Sequence, residues 1–314
     1  MKLYRPFAGT FCVSILLLMI FLFGTIYSLP NNFSNQPVRV SPRSIKIRVL
    51  LREYDTRNNH SFDVDTNGGV IVQSVPQTKQ GYHCNKKNLC VKIKKNELYF
   101  QEGKSRRGKA LKDEMILLPK NGTVTINGMK CGGHVSLKLD VKRKKLYVIN
   151  TLDLDDYVYS VLLYESYQTW PLGMQKVQAI VSRTYALHCM MANKRSGHLP
   201  YDIKNNNFHQ RYRGTHNYNH LMQAVDETKN LVLTHNDKIV VSMFDACCGG
   251  VVPARIKGFN FEEAPYLARK KACHYCKKYK LYSWKGETTV KKFIDGLRSH
   301  GPLKKRLQNI GEEI

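Results

Sequence analysis

Negative charge is scarce in this chain of 314 residues, where 24 Asp and Glu stand against 50 Lys and Arg for a formal charge of +26. Such an excess calls for polyanionic surroundings: nucleic acid, anionic lipid or an acidic cell-wall polymer. No nucleic-acid-binding motif is present, and the basic residues are spread along the chain, which argues against nucleic acid. There is no P-loop, no dinucleotide fingerprint, no nucleophile elbow and no H-E-x-x-H, so those nucleotide, hydrolase and metalloprotease chemistries are excluded. No segment repeats at a fixed period. Gly and Pro, at 21 and 11, are ordinary, which excludes collagen-like and linker-like chains. With 10% aromatic and 42% hydrophobic residues, wholesale disorder is excluded as well.

Charge is also missing from Phe7 to Leu29, with Lys2 and Arg5 ahead of the run. A membrane span needs about 20 apolar residues. No A-x-A-like cleavage site follows, so residues 1–30 are expected to be an uncleaved anchor rather than a removed signal. The neutral flank Pro30–Val38 predicts a cytoplasmic N-terminus and a body on the extracytoplasmic side. Residues 31–44 read as a linker. Export permits disulfides, and eight cysteines lie beyond the run. Cys247-Cys248 and the CxxC of Cys273 and Cys276 are the notable ones. Disulfides, a structural zinc site and unpaired thiols all stay open for them.

Residues 45–150 alternate in the manner of strands. Examples are Ile45–Arg52, Val70–Val72, Leu89–Ile93, Leu98–Phe100, and Thr123–Ile126 ahead of an Asn127-Gly128 turn. Val135–Leu139 and Leu146–Asn150 flank a basic turn. At Thr151 the period changes. Val158, Val161, Leu162 and Glu165 recur at helical spacing behind Asp153, Asp155 and Asp156, and Pro171 opens a longer helix to about Met191. A helix at Leu221–Lys229 and strands at Leu231–Thr234 and Ile239–Phe244 follow. The expected class is α+β: a β-rich half (45–150), a mixed helix and strand region (151–285) and a basic helical tail (286–314). Glu165 stands out because a carboxylate on an apolar face near a helix C-terminus has a raised pKa, as a general acid requires.

The segments Leu154–Glu165, Trp170-Pro171 with Gln178-Ala179 and Arg183-Thr184-Tyr185-Ala186, Gln210 with Tyr212 and Gly214, and Cys248-Gly249-Gly250 stand in order. In this the chain resembles the SpoIID/LytB family of stage II sporulation proteins D and amidase enhancers. The resemblance implies a peptidoglycan lytic transglycosylase that leaves 1,6-anhydro ends on glycan strands stripped of peptide by an amidase. It puts Glu165 on the catalytic glutamate and requires no cofactor. It also makes glycan strands and a cell-wall amidase the expected partners.

Arg183, Tyr185, Gln210 and Tyr212 would then line the glycan groove. For Arg183 an ion pair to Asp153 or Asp156, and for Tyr185 a place in the core, are the alternatives. Some members hold zinc on a Cys…His-Cys cluster ahead of the Gln, but here those positions are Lys204, Phe208 and His209. A non-catalytic exported module that binds the wall and stimulates an amidase is the rival reading.

Overall fold

The computed structural model describes residues 26–28, 44–75, 81–94, 97–103, 109–111, 113–197, 199–250, 265–267 and 273–299. They form two compact units, Met1–Phe244 and Asp245–Ile314. The division thus falls inside the region 151–285 that the sequence treats as one. Most of the apolar N-terminal run lies outside the described residues. Its end, Ile26–Ser28, is strand β1. Among the described residues no helix is long and apolar enough to cross a membrane.

The first unit is mixed α+β. Strands β2 (Lys46–Asp55), β3 (His60–Asp65), β4 (Val70–Val75), β5 (Tyr82–Cys84), β6 (Asn88–Lys94) and β7 (Glu97–Glu102) follow β1. Then come β8 (Lys109–Leu111), β9 (Glu114–Pro119), β10 (Thr123–Ile126), β11 (Met129–Gly132), β12 (His134–Asp140) and β13 (Lys145–Asp153). Helices α1 (Leu154–Glu165) and α2 (Leu172–Ser196), strand β14 (Ile203–Lys204), helix α3 (Asn219–Asp226) and strands β15 (Leu231–His235) and β16 (Lys238–Ile239) complete it.

A six-stranded sheet runs β11-β10-β3-β6-β7-β8, a seven-stranded one β14-β2-β13-β12-β9-β4-β5, and a three-stranded one β1-β15-β16. Alternation explains the first two. Leu89, Val91 and Ile93 of β6 point one way with Leu98 and Phe100 of β7. They share a core with Val135 and Leu137 of β12 and Leu146 and Val148 of β13. Burying each such side chain contributes about 1.5–3 kcal/mol. The expected turn at Asn127-Gly128 is present, with φ of 48° and 80°.

Strand β13 leaves that core and enters a second one. Its Leu152, with Ile47 and Val49 of β2, packs against Tyr157, Val158, Val161 and Leu162 of α1 and Ala179 and Ala186 of α2. The chain passes from β13 into α1 without a loop, so the sheet fixes where α1 points. Asp153 occupies the N-cap but makes no side-chain cap bond, because its carboxylate pairs with Lys46 at 2.9 Å instead. Pro171 precedes α2 as expected, and Gly197 ends it in the left-handed conformation.

Two sequence expectations are corrected. The strand predicted over Ile239–Phe244 stops at Ile239. One further bond joins the Val240 N–H to the Leu233 carbonyl, and then Ser242 Oγ turns to the Val181 carbonyl of α2 at 2.8 Å. Helix α3 ends at Asp226 rather than Lys229, where Thr228 Oγ1 takes the Ala224 carbonyl. In the second unit, α4 (Val290–Ser299) gives the expected helical tail, while residues 300–314 lie outside the described ones.

Gly214 ties a long loop to this frame. Its φ is 84°, and a Cβ there would lie 2.1 Å from the Lys130 carbonyl oxygen. Its own carbonyl accepts from Ser160 of α1. Gly214→Ala should lose about 1–3 kcal/mol of stability, measured by urea denaturation, since both strain and clash must be relieved by moving β11.

Candidate functional site

Glu165 ends α1, where the Ser166 N–H still bonds the Leu162 carbonyl at 3.1 Å. Gln175 of α2 fixes the turn that follows. It accepts from Ser166 Oγ at 2.8 Å and donates to the Tyr167 carbonyl at 2.7 Å. Glu165 is half-buried, and the main-chain N–H of Arg211 donates to its Oε1 at 2.5 Å. Burial pushes its carboxyl above the usual range, and the Arg211 N–H and charge offset this only in part. Among the described residues no second carboxylate contributes to that shift.

The loop carrying Arg211 is anchored on strand β2 and on its own side chains. The Asn205 N–H bonds the Leu50 carbonyl, Asn205 Oδ1 takes the Tyr212 N–H at 2.9 Å, and Asn205 bridges to Gln210. Thereafter the chain is extended and alternates. Gln210, Tyr212 and Gly214 face inward and are buried, while Arg211 and Arg213 face outward and are exposed. Tyr212 stacks on Tyr157 with ring centroids 5.7 Å apart and donates to Asn150 Oδ1 at 2.6 Å. Gln210 accepts from the Tyr157 hydroxyl at 3.0 Å. Asn150, on β13, donates to the carbonyls of Gly132 and His134.

Three of the four residues expected to line a groove, Arg183, Gln210 and Tyr212, are buried. Gln210 and Tyr212 are interior, and their amide and hydroxyl bonds hold the loop under Glu165. Arg183 is 1% exposed; it pairs with Asp155 at 2.9 Å and reaches the Leu231 and Val225 carbonyls. The ion pair foreseen for it is real, but the partner is Asp155 rather than Asp153 or Asp156. Tyr185 is half-buried beside the loop, with its hydroxyl 3.5 Å from the Phe208 carbonyl and its pKa pushed up to about 12 by burial. His209 meets Cys189 at 3.7 Å, and burial pulls its imidazole down.

The outward residues are the ones the motif leaves unspecified. A cleft of about 570 Å³ is lined by Arg52, Arg211 and Arg213, by Asn127, Asn205, Asn206 and Asn207, and by Tyr54 with a few apolar neighbours. No acidic residue lines it. Glu165 is not part of that lining; Arg211 links the two, holding the carboxylate through its N–H and forming part of the cleft wall. Tyr164 and Tyr167 flank Glu165 along the chain and are exposed, as is Phe208 on the loop that carries Arg211, at 87%. The Arg211 guanidinium lies 5.8 Å from the Tyr164 ring centre. The alternation Gln-x-Tyr-x-Gly was the signal that the two x positions, Arg211 and Arg213, face out.

In the second unit, Cys248, Cys273 and Cys276 form a cluster able to hold a metal, with their sulfurs within 4.8 Å of one another. Cys247 also bonds Cys276. The Cys248 N–H lowers the Cys276 thiol, but desolvation and the two neighbouring thiols prevail and push it up to about 11.

An α+β frame that presents one desolvated glutamate at a helix end, beside a basic cleft, is what the fold and site define. Residues 142–235 match the family model SpoIID, Stage II sporulation protein, so this segment is a SpoIID-family domain. That family is associated with cell-wall lytic activity, and its description points to a sporulation- or cell-wall-related role. The chain is also 32% identical to an uncharacterized protein of Brachyspira hyodysenteriae over 155 residues, which is 49% of this chain. The match spans 41% of that relative's length.

Removing Asp155 would leave the buried Arg183 guanidinium without its carboxylate. Asp155→Ala should lower stability by about 3 kcal/mol in urea denaturation, at the low end for a broken buried pair because Asp155 is partly exposed. An unchanged midpoint would show that the pair does not hold α1 to α2.

Proposed function

We propose that this protein is a peptidoglycan lytic transglycosylase that cleaves the MurNAc–GlcNAc bond of glycan strands with Glu165 as its acid and base. The observation that carries this reading is the desolvated Glu165, held by the Arg211 N–H with no second carboxylate among the described residues contributing to its shift. A raised pKa enlarges the share of the carboxyl that is protonated, the form that can protonate the leaving glycosidic oxygen. With Oε1 engaged by Arg211, Oε2 delivers the proton. The resulting carboxylate then assists the sugar's own 6-hydroxyl in attacking the anomeric carbon. Ordinary glycosidases use a second carboxylate as nucleophile or to activate water. An internal hydroxyl takes that part here, with the advantage of proximity. The bond from C1 to the leaving oxygen breaks, the bond from C1 to O6 forms, and the proton of the 6-hydroxyl returns to Glu165.

The surroundings suit such a strand. Tyr164, Tyr167 and Phe208 offer aromatic faces for sugar rings, and the asparagines of the cleft offer amides for hydroxyls. Once an amidase has removed the stem peptides, the MurNAc lactyl groups are carboxylates, and Arg52, Arg211 and Arg213 complement them. The body would work on the extracytoplasmic side, held to the membrane by the N-terminal run. The reaction needs no cofactor.

Amidase-stripped strands incubated with the full chain should give 1,6-anhydro-MurNAc ends by mass spectrometry, and Glu165→Gln should give none. Absence of such ends from both, with amidase activity stimulated equally by both, would instead establish a wall-binding enhancer. Because the acid form of Glu165 is required, kcat should fall as pH rises through its pKa. That alkaline limb should lie above the value of about 4.3 for an ordinary glutamate. Phe208→Ala should raise KM by roughly fivefold, about 1 kcal/mol, with kcat little changed.

A further inference from the structure

The second unit carries chemistry that glycan cleavage does not use. None of its described side chains is fully buried, and Tyr275, Trp284, Val290 and Phe293 are exposed. Described residues with so little apolar interior among them are well served by a covalent or metal staple. Sulfur is what its described residues bring together. Three thiols from two separate stretches of chain, Cys248 on one side and Cys273 and Cys276 on the other, converge within 4.8 Å.

The backbone is shaped for that convergence. Gly249 and Gly250, with φ of 57° and 73°, turn the chain directly after Cys248. Cys276 sits on a 3-10 turn, Tyr275–Lys278, closed by the Lys277 N–H on the His274 carbonyl and the Tyr279 N–H on the Cys276 carbonyl. The main-chain N–H of Cys248 points at the Cys276 sulfur, the kind of outer hydrogen bond that steadies a thiolate ligand.

A disulfide would join two of these sulfurs at about 2.05 Å and break up the three-way cluster. Three sulfurs within 4.8 Å of one another are close enough to approach the edge of about 3.8 Å of a tetrahedron with ~2.3 Å zinc–sulfur bonds. We propose that Cys248, Cys273 and Cys276 bind one Zn²⁺ as a structural staple of residues 245–314, with Cys247 beside the fourth position. This is a different place from the family's cluster ahead of Gln210, whose positions are Lys204, Phe208 and His209 here.

Zn²⁺ itself is the probe. The full chain, purified without chelator, should contain about one zinc per molecule by plasma mass spectrometry. Cys273→Ser combined with Cys276→Ser should reduce this to near zero, whereas Cys90→Ser, in the first unit, should leave it unchanged. Co²⁺ exchanged into the wild type should give the intense visible and charge-transfer bands of a tetrahedral thiolate site, a readout independent of whether the variants fold. Chelation should make residues 245–314 sensitive to trypsin while the first unit persists. Wild type without zinc and without cobalt bands, or a peptide map joining two of the three cysteines by a disulfide, would overturn the proposal. All of these readouts are independent of glycan cleavage.

Discussion

The geometry around Glu165 depends on a buried polar chain that links strand, helix and loop. Asn150 on β13 binds Tyr212, Tyr212 stacks on Tyr157 of α1, and Tyr157 binds Gln210. Each member is in the interior, where an unpaired amide or hydroxyl would cost about 1–3 kcal/mol, so the set forms complete or not at all. Asn150 meets this condition with both of its amide hydrogens and its oxygen. The consequence is a loop whose register cannot slip. A shift of one residue would turn Gln210 and Tyr212 to solvent and bury two arginines.

That register also settles the electrostatics. The Arg211 N–H reaches Glu165 only because the residues on either side of it are anchored inward. The carboxylate thus has one donor and one cationic neighbour, yet burial still dominates its pKa. The overall excess of positive charge becomes specific here, since arginines outside the interior gather around an acid-free cleft. Arg183 shows the opposite use of the same residue type. Desolvated and pulled below its usual pKa, it serves to join α2 to Asp155 and to the carbonyls of Val225 and Leu231.

Much of the fold was legible because its signals are local. Alternation in Leu89–Ile93 and Leu98–Phe100, the Asn127-Gly128 turn and Pro171 before α2 act over a few residues, and each stands where the pattern placed it. Glu165 was legible for the same reason, as one acid on an apolar helical face. The groove was not. Motif residues attracted attention as candidate sugar contacts, whereas Gln210 and Tyr212 are packed in the interior and the positions alternating with them, Arg211 and Arg213, face out.

What the sequence by itself determined is the order of elements, the break between β-rich and helical regions, the positive charge and the position of Glu165 on an apolar helical face. These follow from periodicity and composition, which need no knowledge of distant partners. Only the tertiary structure decided that Arg183 pairs with Asp155, that Arg52 from β2 joins Arg211 and Arg213 in one cleft, and that Cys248 meets Cys273 and Cys276. Those pairings join residues far apart along the chain, and which of many equivalent arginines or thiols meet is set by strand register and turn geometry, which no local pattern encodes.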